Sequence, residues 1–181
     1  MRAARMVWIV LLLATTPAHA ADPRAAEIME AFEKLCIEPK MGQAGDLDES
    51  RYTIRAAQAL VPHLMPEKAS IFKNFRIVIA NNTNANMFVF EDERRNCVIQ
   101  VQEADEADIQ DAFASILAAF RARDQVQEID SVQQTIPRAG RLLTAKMWMF
   151  GTQKGQMTLG IITSPTQVGH FQHHLNFGPA E

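Results

Sequence analysis

The chain has 181 residues, 48% of them hydrophobic, with 18 basic and 21 acidic side chains and a formal charge of −3. That length suits one domain around a single core, and a mildly acidic chain without a basic run repels phosphate backbones, which argues against nucleic acid as a partner. Two cysteines are too few for a disulfide-dense scaffold but enough for one bridge.

The first 20 residues read as an export signal. Arg2 and Arg5 form a positive start, Met6 to Ala14 an uncharged apolar run, and Ala18-His19-Ala20 a small-x-small cleavage site. Cleavage after Ala20 would leave a periplasmic or secreted protein beginning at Ala21. Position 21 is not cysteine, so no lipid anchor is expected there, and the apolar run is far shorter than the roughly 20 residues of a membrane span. Residues 21–165 then read as one domain and 166–181 as a histidine-containing tail of little periodicity.

Asp22 and Pro23 announce a helix by N-cap and first-turn chemistry, with Ile28, Phe32, Leu35 and Cys36 on its apolar face until Pro39. Residues 39–49 read as a loop. The spacing of Ile54, Ala57 and Val61 predicts a second helix over Ser50–Val61, although Tyr52-Thr53-Ile54 could also start a strand. One or two further helical turns are expected between Pro66 and Asn74.

From Phe75 the period becomes two. Phe75–Ala80, Met87–Phe90 and Cys97–Gln102 read as a three-strand antiparallel meander, turned by Asn81–Asn86 and by the charged segment Glu91–Arg95. Cys97 shares the apolar phase of Ile99 and Val101. If the first helix packs on that face, Cys36 and Cys97 meet and bridge, as an even cysteine count in an oxidising compartment suggests.

The strongest helix begins at Asp105, carries acids in its first turn and Arg121 and Arg123 at its end, and lines up Ile109, Phe113, Ile116, Leu117 and Phe120. A weaker segment, Val126–Ile136, follows. Strands at Arg141–Phe150 and Gln156–Thr163 flank a hairpin containing Gly151 and Gly155. The order α-α-β-β-β-α-β-β gives an α+β domain, helices on an antiparallel sheet of about five to six strands. This order is broadly similar to that of small profilin-like and PAS-like domains, a likeness of topology without a shared motif.

Three constellations bear on function. His170, His173 and His174 would share one face of a helix at a spacing that presents imidazoles to Zn²⁺ or Cu²⁺, yet no carboxylate lies among them. Met147 and Met149 continue the stripe of Leu143 and Ala145 and read as core. That assigns Lys146, Trp148 and Phe150 to the opposite strand face, an amphipathic surface for a ligand or partner.

The sequence carries no Walker loop, G-x-S-x-G, H-E-x-x-H or G-x-G-x-x-G, and Glu91, Asp92 and Glu93 beside Arg94 and Arg95 read as a solvated turn. Asn81-Asn82-Thr83 fits a glycosylation sequon. The chain is therefore expected to be an exported, disulfide-stabilised binding protein for an unidentified protein or small molecule, without a cofactor. An enzyme whose site assembles only in three dimensions, through His63 or a tail histidine with a loop carboxylate, is the alternative, and weak metal handling by the three tail histidines is another.

Overall fold

The computed structural model describes residues 20–64, 72–123, 127–138, 141–167 and 171–180; the expected signal segment, His170 and most of the helical turns expected at Pro66–Asn74 lie outside them. Helix α1 (Pro23–Phe32) runs through a π-helical turn (Glu33–Ile37) into the short α2 (Glu38–Met41). The turn is built by Pro39, which has no amide to return to the Leu35 carbonyl; the Glu38 amide instead reaches Glu33. Strand β1 (Tyr52–Ala56), a 3₁₀ turn (Gln58–Leu60) and α3 (Val61–Leu64) follow, then β2 (Lys73–Ala80), β3 (Asn86–Glu91), β4 (Cys97–Val101) and α4 (Glu106–Arg121). The chain closes with β5 (Gln127–Arg138), β6 (Arg141–Thr152), β7 (Gly155–Thr163) and β8 (His173–Pro179).

Among the described residues, eight strands join one sheet in the order β1-β2-β3-β4-β8-β7-β6-β5, and every pairing is antiparallel. The α+β architecture is as expected, but the sheet is larger. Three segments account for the difference. Ser50–Val61, expected as a helix, instead gives β1, because Tyr52 opposite Ala80 buries its ring in the core while the helical phase of Ile54 leads to solvent. Most of Val126–Ile136 falls in β5. The stretch expected as an irregular tail supplies β8, which fills the centre of the sheet between β4 and β7.

One sheet face carries the main core. Val78, Met87, Val89, Ile99, Val101, Leu159, Ile161, Leu175 and Phe177 meet Ile28, Phe32, Ile109, Phe113 and Phe120 of α1 and α4. Each large apolar side chain buried there contributes about 1.5–3 kcal/mol. The bridge between Cys36 and Cys97 ties the π-helical turn to β4 across this layer, with its Cα atoms 5.2 Å apart. A smaller cluster of Ala57, Val61, Phe72, Phe75, Phe90 and Val98 forms on the other face.

The two long helices begin together. Asp22 caps α1 by accepting the Arg24 amide at 3.0 Å, and its second oxygen accepts the amide of Asp105, itself the cap of α4, at 2.8 Å. The Asp22 amide donates in return to Asp108 at 2.6 Å. Burial alone would raise the Asp22 carboxyl, but hydrogen bonds from Arg24 and from the Asp105 amide outweigh it and hold the group below the ordinary aspartate value.

Candidate functional site

The sheet leaves a cleft at the end where β1 and β3 stop and β2 and β4 start. About 1020 Å³ in volume, it is walled by Leu35, Pro39 and Lys40 of the helical layer, by Gly45, and by the strand ends from Ala56 to Cys97. Gly45 is required there: a Cβ would lie 1.9 Å from the Lys34 carbonyl, so only glycine lets the loop pass this close. Gln58 fastens the opposite wall, donating to the Phe72 carbonyl and accepting the Phe75 amide, both at 3.0 Å.

The polar side of the cleft depends on an irregularity in β2. Lys73 pairs with Glu91 and Arg76 with Val89, so three steps on β2 are matched by two on β3. Since residues two apart on β3 share a face, this bulge puts Lys73 and Arg76 on one face too, where strict alternation would separate them. Asn74 makes the bulge possible by taking a left-handed conformation at φ 56°, which asparagine tolerates better than most residues.

Charge in the cleft is unbalanced. Glu91 is occupied at both oxygens, by Lys40 Nζ at 2.7 Å and by Asn74 Nδ2 at 2.8 Å. The ion pair with Lys40 is the main cause that holds the Glu91 carboxyl below its usual range, with smaller help from Asn74 and Arg76. Among the described residues, neither Lys73 nor Arg76 has a carboxylate at ion-pair distance, and the buried Nε of Arg76 has no hydrogen-bond partner. A neighbouring depression of about 400 Å³ shares Lys40, Lys73 and Glu91 and is bordered by Asp92, Glu93 and Arg95. The Asp92 carboxylate is engaged by the Asn96 amide at 2.8 Å and side chain at 3.0 Å; the turn joins two inner strands rather than protecting an edge, and Glu91, expected in that solvated turn, ends β3 inside the cleft.

The residues singled out from sequence fall elsewhere. Pairing of Trp148 with Leu159 turns Trp148 and Phe150 into the core beneath α4, where Trp148 meets Phe113 and Phe150 meets Phe120. The two faces of β6 are thus the reverse of the expectation, and Met147 is exposed. Lys146 and Trp148 still come together, lining a crevice of about 190 Å³ with Gln110, Phe113 and Leu117; Phe150 lies outside its lining.

His173 and His174 do not share a face, because they are successive residues of a strand rather than of a helix. His173 is buried, its Nε2 donating to the Ala104 carbonyl at 3.0 Å, and its buried Nδ1 has no partner. Desolvation pushes its pKa down. His63 is exposed on α3 and is not among the residues that line the cleft. Among the described residues no three histidine, cysteine, aspartate or glutamate side chains are grouped to hold a metal ion. No helix among them is long and apolar enough to cross a membrane.

Reading the sequence alone missed Lys40, Lys73 and Arg76. Asn74 at the head of an apolar alternation was the single signal for the bulge that aligns the last two. The chain matches no family model, no curated protein and no solved structure.

Proposed function

We propose that this is an exported, disulfide-clasped binding protein whose ligand is a small anion seated in the cleft of Lys40, Lys73 and Arg76. The observation that carries this reading is the bulge of β2, which points the same way two cations that have no carboxylate at ion-pair distance among the described residues. Bulges concentrate beside functional sites for this reason, and the π-helical turn that walls the cleft through Leu35 is a second irregularity of the same kind. A partly desolvated guanidinium and an ammonium attract a carboxylate or phosphoryl head strongly, since the site is less screened than open water.

Binding is favoured over catalysis because, among the described residues, the cleft presents one carboxylate, Glu91, and both of its oxygens are engaged. Export is supported by the positive, apolar and small-x-small pattern of residues 1–20 together with the bridge. The crevice of Lys146 and Trp148 is a second seat for a ligand, but at about 190 Å³ it falls below the usual range of roughly 300–1,000 Å³ for small-molecule pockets.

The test is thermal-shift and calorimetric titration of protein recovered after export of the full chain, against small carboxylates, phosphate monoesters and their uncharged analogues. Stabilisation by anions that disappears in Lys73→Gln and Arg76→Gln is expected. Stabilisation by uncharged analogues alone would refute the reading. Intact mass of the same sample should correspond to a chain starting at Ala21.

A further inference from the structure

We infer that the ligand of this cleft is an amphiphile, a single anionic head on a medium-length apolar body; the inference rests on the anion-binding reading above. Size comes first. A cleft of about 1020 Å³ is far larger than a bare oxyanion needs, given that one water occupies roughly 30 Å³ in the liquid. Something other than the head must fill the remainder.

The lining says what that is. Leu35, Pro39, Ala56 and Cys97 supply an apolar lining on the face that bears the cations, and the bridge at Cys97 presents sulfur without a polar hydrogen. The cations do not surround the cavity. Lys73 and Arg76 stand on the face set by the bulge, Lys40 is neutralised by Glu91, and the carboxylates Asp92 and Glu93 lie beyond Lys73 in the neighbouring depression. That arrangement holds one head at one side. An uncharged apolar molecule would leave the buried Arg76 Nε without a partner.

The head therefore sits between Lys73 and Arg76, and the body runs on the same sheet face past Ala56 toward Leu35 and Pro39. Each methylene covered by this lining should strengthen binding about fourfold. The ligand class is that of medium-chain carboxylates and singly charged alkyl phosphoesters, which share this chemistry.

The experiment is calorimetric titration of the exported protein with octanoate, monomethyl octyl phosphate, 1-octanol, acetate and inorganic phosphate. Binding of octanoate or the octyl phosphoester at least about a hundredfold tighter than acetate, with 1-octanol at least about tenfold weaker than either, is expected. Lys73→Gln, an exposed position whose change leaves the core intact, and Arg76→Gln should each weaken the octyl anions about tenfold without altering the response to 1-octanol. Which octyl anion binds better identifies the head. Should acetate and inorganic phosphate match the octyl anions, the amphiphile is overturned while the anion cleft stands. Equal binding of 1-octanol and octanoate, insensitive to both variants, overturns the anionic head, and no binding of any probe overturns both readings.

Discussion

Reduction of the bridge between Cys36 and Cys97 is the perturbation whose size follows most directly from the structure. The two cysteines are 61 residues apart in sequence, and closing a loop of that length removes enough entropy from the unfolded chain to stabilise the fold by about 4 kcal/mol. The folded state changes little on reduction. Both sulfurs are buried, and two thiols there pack as small hydrophobes among Phe32, Leu35 and Ile99. With a urea dependence of roughly 2 kcal/mol/M for a domain of this size, the unfolding midpoint should fall by about 2 M. The assay is urea unfolding followed by far-UV circular dichroism. Bridged protein is compared with protein reduced while unfolded and then refolded, since the buried sulfurs shield the native bridge from reductant. Thiol titration of the denatured, unreduced protein supplies the control. Two free thiols in that titration, or coincident midpoints, would refute the reasoning and with it the docking of the first helix on β4.

Asp22→Ala removes the cap of α1 and the acceptor of the Asp105 amide together, and should cost about 2–3 kcal/mol in chemical denaturation at neutral pH. Because its carboxyl is held below the ordinary value in the fold, Asp22 contributes stability that is full above the unfolded aspartate pKa and lost as pH falls through the lower folded one. The gap between wild type and variant should therefore close below about pH 4. His173 shows the same sign one range higher. It is held neutral by burial, so the unfolded chain takes up the proton first and stability declines as pH drops below about 6.5; His173→Gln, which can still donate to Ala104, should flatten that decline in a pH series of melting temperatures. Gly45→Ala places a methyl against the Lys34 carbonyl and should destabilise the fold by roughly 1–3 kcal/mol while weakening probe binding in the cleft, both measurable on one sample by thermal melting and titration.

What the sequence determined by itself is local or periodic. Asp22-Pro23 and Asp105 start the two long helices because caps act on amides two or three residues away. The shared phase of Cys36 and Cys97 with their apolar neighbours, with the even cysteine count, pointed to the bridge on condition that the first helix packs on β4, which it does. The alternation after Phe75 produced the meander. Tertiary packing decided the rest. Ser50–Val61 has helical spacing and yet gives a strand and a 3₁₀ turn, since burying Tyr52 opposite Ala80 and adding β1 to the sheet outweigh a weak local preference. In sequence the stripe of Leu143, Ala145, Met147 and Met149 reads as the core face of β6, because Lys146 and Thr144 make the other phase look amphipathic; packing of Phe113 and Phe120 of α4 on Trp148 and Phe150 buries that other phase instead. β8 looked like a tail because its two histidines and asparagine mask the alternation, and only the gap between β4 and β7 gives it pairing partners. The cleft lies furthest from the sequence: Lys40, Lys73 and Arg76 converge through a helix end and a bulge, and the register that aligns them is a property of two strands together, not of either one alone.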